Sequence, residues 1–252
     1  MGFGLYIIGD EILSGKRQDK HFARIVQILG GRGLGLDWVL YLGDDRARHA
    51  EALRRSFAAG DIVFSCGGIG ATPDDHTRQA AAEALGLPLV AHPEAQALIA
   101  ERSREVGLPL TPGRLEMGVF PEGASIIPNP VNRIAGFAIR EHWFVPGFPE
   151  MAWPMLEWVL DTHYRHLFNT RPAGERAMLV RGLAEATLTP LMLEVERDFP
   201  GVKVFSLPHL TPDVVRAYEI ELGVKGDPEH LDAAFARLRE GALALGGRVD
   251  AA

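Results

Sequence analysis

Cysteine is nearly absent from this chain: Cys66 stands alone among 252 residues. A single thiol excludes an intrachain disulfide framework and any metal site built on clustered cysteines. Long apolar runs are missing as well, and none approaches the roughly 18 residues of a membrane span. Basic residues are in short supply. Lys and Arg number 26 against 33 Asp and Glu, a net charge of −7. Without a broad basic stripe, a nucleic-acid partner is not expected. Residues 1–8 are apolar but lack a basic leader and run into Asp10-Glu11, unlike a signal peptide. There is no internal repeat and no low-complexity tract. These absences lead us to expect a reduced, cytoplasmic protein with no membrane partner.

What is present is globular: 47% hydrophobic and 23% charged residues, with a mean hydropathy of +0.02. The first 90 residues alternate strand-like and helix-like patterns. Strands are expected over 3–8, 36–42 and 62–66, and helices over 46–59 and 73–85. Phe22, Ile25, Val26 and Leu29 predict another helix with those four inward. Residues 93–106 and 149–168 read as helices, with short strand-like pieces between them. Such alternation predicts a parallel sheet covered on both faces, an α/β/α arrangement. The stretch 169–175 holds Pro172 and Gly174 and almost nothing apolar, so a boundary is placed there. Beyond it the pattern is βαββαβ, the order of a ferredoxin-like α+β domain. Its strands are expected at 178–181, 202–207, 214–222 and 248–249. Leu188, Leu191, Met192 and Val195 mark one helix face; Leu231, Ala234, Phe235 and Leu238 mark the other. The expected domains are 1–170 and 176–252.

The most informative segment is Cys66-Gly67-Gly68-Ile69-Gly70-Ala71-Thr72-Pro73-Asp74-Asp75-His76-Thr77. It follows a buried strand and opens a helix, where open α/β sheets bind ligands. Glycines let backbone amides approach a phosphate, and a helix N-terminus adds partial positive charge. Thr72-Pro73-Asp74-Asp75 also fits a capping box, with Thr72 as N-cap and Asp75 three residues on. Two further acidic turns follow strands, Gly9-Asp10-Glu11 and Gly43-Asp44-Asp45. Two carboxylates about 5 Å apart repel by roughly 3 kcal/mol at an effective dielectric of about 20. A cluster of them therefore calls for a cation, raised pKa values or hydrogen-bond donors. Hard oxygen ligands favour Mg²⁺-like ions over zinc. Some of these residues equally serve as helix caps. His163 and His166 read as surface residues and Cys66 as a buried hydrophobe. Glu150, after Pro146-Gly147-Phe148-Pro149, is the expected partner of a helix dipole.

In order along the chain, these segments resemble one family. Gly9-Asp10-Glu11-Ile12-Leu13-Ser14-Gly15, Gly43-Asp44-Asp45 and Gly67-Gly68-Ile69-Gly70 with Asp74-Asp75-His76-Thr77 carry the resemblance. Phe120-Pro121-Glu122-Gly123-Ala124, Asn129-Pro130 and Pro146-Gly147-Phe148-Pro149-Glu150-Met151 complete it. The pattern is similar to the molybdopterin-binding (MoaB/MogA-like) superfamily, and within it to the N-terminal module of CinA-type proteins. It covers about residues 1–168. Ala71 and Ala135 stand where the family has proline, and the Lys-Gln pair of many CinA modules is missing from residues 112–117. The signature of the CinA deamidase domain is absent, so that activity is not carried over.

The resemblance implies a three-layer α/β/α domain with its ligand cleft at the glycine loop. It assigns Asp44 and Asp75 the catalytic role, and Asp10, Asp44 and Asp75 a divalent metal such as Mg²⁺, Mn²⁺ or Co²⁺. It assigns Gly67, Gly68, Gly70, Thr72, Thr77 and Gly147 to phosphate or ligand binding. One reading is a metal-dependent hydrolase of nucleotide pyrophosphates such as ADP-ribose, or a nucleotidyl-transfer protein. Another is a non-catalytic module that binds a nucleotide or molybdopterin in molybdenum cofactor biosynthesis. The third makes the C-terminal domain an assembly or regulatory unit. A homo-oligomer, dimer or trimer, is expected.

Overall fold

The computed structural model describes residues 2–168, 174–209 and 219–251. The chain divides into two compact units, Met1–Phe168 and Asn169–Ala252.

Unit 1 begins with β1 (Phe3–Ile8), the short helix α1 (Asp10–Leu13), α2 (His21–Gly30), β2 (Trp38–Leu42), α3 (Arg46–Ala59) and β3 (Ile62–Cys66). It continues with α4 (Thr77–Leu85), β4 (Leu89–Ala91), α5 (Pro93–Glu105), α6 (Pro112–Glu116) and β5 (Val119–Pro121). It closes with β6 (Ser125–Ile127), β7 (Gly136–Ile139), β8 (His142–Val145) and α7 (Pro149–His163). The main sheet has the order β2-β1-β3-β8-β7-β6. Its first four strands run parallel, and β7 and β6 are antiparallel additions.

Alternation along the buried strands builds two cores. Phe3, Leu5 and Ile7 of β1 pack with Ile25 and Leu29 of α2 and Met155, Leu156 and Val159 of α7. Tyr6 and Ile8, on the opposite face, pack with Ala50 and Leu53 of α3, Ala80 and Ala81 of α4 and Ala95 of α5. This is the expected three-layer α/β/α arrangement. Because β1 sits between β2 and β3, the chain leaves β1 to one side and returns on the other. The carboxyl ends of β1 and β3 therefore flank a switch point, where such sheets form crevices.

Unit 2 contains β9 (Gly174–Arg181), α8 (Glu185–Asp198), β10 (Val202–Pro208), β11 (Glu219–Gly226), α9 (Pro228–Ala244) and β12 (Arg248–Ala251). Its antiparallel sheet has the order β10-β11-β9-β12. That is the ferredoxin-like arrangement, with Leu188, Leu191 and Val195 of α8 and Leu231, Ala234 and Leu238 of α9 in one core.

Three local expectations need correction. In α2 the buried residues are His21, Ile25, Ile28 and Leu29, while Phe22 and Val26 are exposed. Seating His21 inward turns the helix away from the face that hydrophobicity alone selects. The helix expected from residue 73 begins at Thr77, because residues 71–76 form a separate turn. Thr72 and Asp75 still bond reciprocally, but within that turn rather than as a helix cap. The strand expected over 214–222 is observed as Glu219–Gly226, and its first part lies outside the described residues.

All four tryptophans fall in unit 1. A chain ending at Thr170 is expected to unfold in one cooperative transition and keep the tryptophan emission maximum of the full protein. A red-shifted emission without a transition would show that residues 1–170 do not fold alone.

Candidate ligand cleft

A cavity of about 630 Å³ opens at the carboxyl ends of β1, β2, β3 and β8. That volume is within the range of small-molecule and nucleotide sites. Gly9 and Glu11 reach it from β1, Asp44 from β2, residues 67–72 with Asp74 and Asp75 from β3, and Pro146, Gly147 and Phe148 from β8. Met117, Asn132, Ile134 and Ala135 form the facing wall. Of the site residues expected from sequence, Asp44, Asp75, Gly67, Gly68, Gly70, Thr72 and Gly147 all line this one cavity.

The glycine loop is held from beneath. Gly67 has φ +114°, and a side chain there would run into the Ile8 carbonyl at 2.5 Å. Gly68 has φ +69°, and a Cβ would lie 2.2 Å from the Thr77 hydroxyl oxygen. Thr77 is fully buried and donates its hydroxyl to the Gly67 carbonyl at 3.1 Å. Its amide donates to the Gly68 carbonyl at 3.0 Å. Thr77 is absent from the cavity lining, so it shapes the loop and does not face a ligand as the sequence suggested. Arg78, which sequence reasoning missed, is 4% exposed and donates to the carbonyls of Ile69 at 2.6 Å and Gly70 at 2.7 Å. Burial lowers its pKa, and the charges of Asp75 and Glu116 act against that. With these carbonyls drawn inward, the amides of residues 68–71 donate to no other group among the described residues.

The opposite side is acidic. Asp10 and Asp44 cap each other: the Asp10 amide donates to Asp44 Oδ2 at 2.9 Å, and the Asp44 amide to Asp10 Oδ1 at 3.2 Å. Partial burial raises the Asp44 pKa, and the charges of Asp10, Glu11 and Asp74 push it the same way. The bond from the Asp10 amide opposes the shift without cancelling it. Asp75 accepts from the Thr72 amide at 2.9 Å and from its hydroxyl. Asp45 caps α3 through the Arg48 amide at 2.9 Å and takes no part in the cleft.

The six carboxylates therefore divide. Glu11, Asp44, Asp74 and Asp75 line the cavity, whereas Asp10 and Asp45 do not. Among the described residues, no group of three or more His, Cys, Asp or Glu side chains converges as a metal cage. The expected trio of Asp10, Asp44 and Asp75 forms no such group: Asp10 lies outside the cavity lining and accepts from the Asp44 amide.

Gly147 lines the cleft through its backbone, and its carbonyl contacts His21 Nε2 at 3.0 Å. Arg17 brings a basic side chain into the lining, paired with Glu11 at 3.9 Å. Cys66 is buried, and desolvation pushes its thiol far above the ordinary range, which removes it as a nucleophile. No sequence pattern singled out Arg78. The one available signal for Arg78 was an arginine flanking an alanine-rich helix face directly after the loop.

Residues 4–166 match the family described as "Probable molybdopterin binding domain". This chain belongs to that family. A protein of Pyrobaculum calidifontis is 32% identical over 209 residues, covering 80% of this chain and 78% of its own. A CinA-like protein of Geobacter metallireducens is 33% identical over 209 residues, covering 81% of this chain and 51% of its own. The chain thus spans about half the length of that relative. Among solved structures, CinA of Thermoplasma acidophilum, described as of unknown function, aligns with TM-score 0.57 and 28% identity. The alignment covers 64% of this chain and 98% of that one. Ala71 and Ala135 both line the cleft.

Gly68→Val is expected to destabilise unit 1 by about 2–4 kcal/mol, since a branched side chain must enter space held by Thr77 at positive φ. Denaturant unfolding checks it. Arg78→Met is expected to cost about 2–4 kcal/mol by leaving two loop carbonyls unpaired. A third test concerns pH. A carboxyl whose pKa rises on folding destabilises the folded state once pH exceeds its unfolded value. Asp44→Asn should therefore raise Tm at pH 7, and the gain should shrink as pH falls into the carboxylate range. A gain that is constant with pH would remove the electrostatic explanation.

Proposed function

We propose that this chain binds a nucleotide carrying a phosphoanhydride and, with a divalent cation, cleaves or transfers across that bond. ADP-ribose-like dinucleotides are the substrate class, with AMP as a product. One observation carries this reading: Asp44 and Asp75 open onto the same cavity as a glycine loop whose amides at residues 68–71 donate to no group among the described residues. Successive amides of this kind suit phosphate oxygens.

The donor set fits an Mg²⁺-like ion, which is held by one or two carboxylates together with substrate phosphates and needs no all-protein cage. Asp75 and Asp44 are the side chains that would hold it. Bound there, it supplies charge neutralisation for the phosphoanhydride. The protein's own groups do the rest. The loop amides orient the phosphate. Arg17, exposed and loosely paired with Glu11, can turn to a phosphate oxygen. Asp44, which opens onto the same cavity, would take the proton of an attacking water when its carboxylate is not engaged by the cation. The water oxygen joins one phosphorus as the bridging P–O bond breaks, leaving two phosphate monoesters.

A binding module without turnover is the second reading. The clasp of Thr72 on Asp75 favours it, since that carboxylate already serves the turn. Incubation of the protein with ADP-ribose or FAD and Mg²⁺, Mn²⁺ or Co²⁺ separates the two. The expected result is metal-dependent AMP release that falls by at least about 100-fold in Asp75→Asn, with circular dichroism unchanged. Tight binding of ADP-ribose with no AMP under any of these ions would establish the binding module instead.

A further inference from the structure

Phe148 is a large aromatic residue left 54% exposed on the cavity wall. Its position is rigid. Pro149 follows it and confines it to extended backbone, where φ is −89° and ψ 118°. Its carbonyl accepts from the amides of Met151 at 3.0 Å and Ala152 at 2.9 Å, which fixes it to the first turn of α7. Gly147 before it packs on the glycine loop, where a Cβ would lie 3.3 Å from the Gly67 Cα. The ring thus stands one residue from the loop that would hold a phosphate.

Apolar groups line the same cavity: Met117, Met151 and Ile134. Thioethers and aromatic rings pack well against flat, polarizable rings. The facing wall is also built to stay in place. Asn129, 4% exposed, bonds the Ile134 carbonyl at 3.1 Å and accepts from the Val131 amide at 3.0 Å. Asn132 Oδ1 accepts from the Ile134 amide at 2.9 Å, and its amide group reaches the Met151 sulfur at 3.2 Å. Arg133 within this turn has φ +64°, a conformation that only a well-determined loop imposes on a non-glycine residue. The cavity lining is therefore of two unlike kinds, the carboxylates and free amides making its polar half and the apolar side chains with the exposed Phe148 ring its apolar half.

We infer that Phe148 is the stacking platform for the heteroaromatic ring of a phosphate-bearing ligand, with the two methionines and Ile134 closing the slot. The apolar half then selects for a flat ring, and the loop half for the phosphates attached to it. This deepens the proposed function and rests on its phosphate loop, so the test probes the two halves separately.

Titration calorimetry in Mg²⁺ with ADP and with inorganic pyrophosphate, on the full chain, makes the comparison. Wild-type protein should bind ADP more tightly than pyrophosphate. Phe148→Ala should weaken ADP about 5- to 100-fold, the range of base–aromatic stacking, and leave pyrophosphate within about twofold. Phe148→Tyr should retain ADP affinity, whereas Phe148→Leu should lose most of it. GDP and a pterin phosphate in place of ADP show which ring is preferred. Wild-type affinity for ADP in Phe148→Ala, equal losses for both ligands, or no ADP binding by the wild type would each overturn the platform. Phe148-dependent ADP binding without pyrophosphate binding would keep the platform and overturn the phosphate loop.

Discussion

The turn between β3 and α4 depends on backbone lying where side chains would normally be. Gly67 sits against the Ile8 carbonyl and Gly68 against the Thr77 hydroxyl, and neither position has room for a Cβ. Thr77 and Arg78 then claim the carbonyls of Gly67, Gly68, Ile69 and Gly70. Peptide groups whose carbonyls are bound inward leave their amides for the outside. The buried guanidinium adds positive charge beneath a loop that faces an acidic wall. Every functional claim for the cleft rests on this arrangement, including the position of Gly147 and so of the Phe148 ring.

The acidic wall has its own logic. Asp10 and Asp44 end two neighbouring strands and would repel if left alone. Each instead accepts the other's amide, which holds the Asp44 carboxylate in the cavity at the cost of a raised pKa. A carboxylate kept partly desolvated among like charges costs the fold stability. Asp75 is placed differently, by a local turn with Thr72. Two carboxylates on one cavity are thus fixed by unlike means, and their environments differ accordingly.

Much of this was legible in the sequence. Strand–helix alternation gave the α/β/α layers because buried parallel strands are apolar throughout, and the β1, α3 and β3 boundaries fell where expected. Asp44, Asp75 and the three loop glycines came from turn position and family pattern, and all reach the cleft. The misses have physical causes. His21 buries its ring against the Gly147 carbonyl, so α2 turns to a face that hydrophobicity does not mark. Thr72 and Asp75 carry the letters of a helix cap, yet the loop needs that length of chain before α4 can start. Arg78 was invisible because arginine normally lies outside, and only the fold shows that its partners are buried carbonyls. Phe148 lies in a segment that the family pattern marks, but its exposed ring could not be foreseen, since exposure is a property of the assembled wall.

Glycine-selective ¹⁵N labelling offers the most direct test of the central claim, that the loop amides receive phosphate. The protein would be titrated with Mg²⁺ and ADP-ribose while the glycine amide resonances are followed. The expected result is large shifts of Gly68 and Gly70, with Gly60 and Gly86, which end helices away from the cleft, unmoved. Shifts confined to glycines outside the cleft, with Gly68 and Gly70 unchanged at saturation, would contradict it.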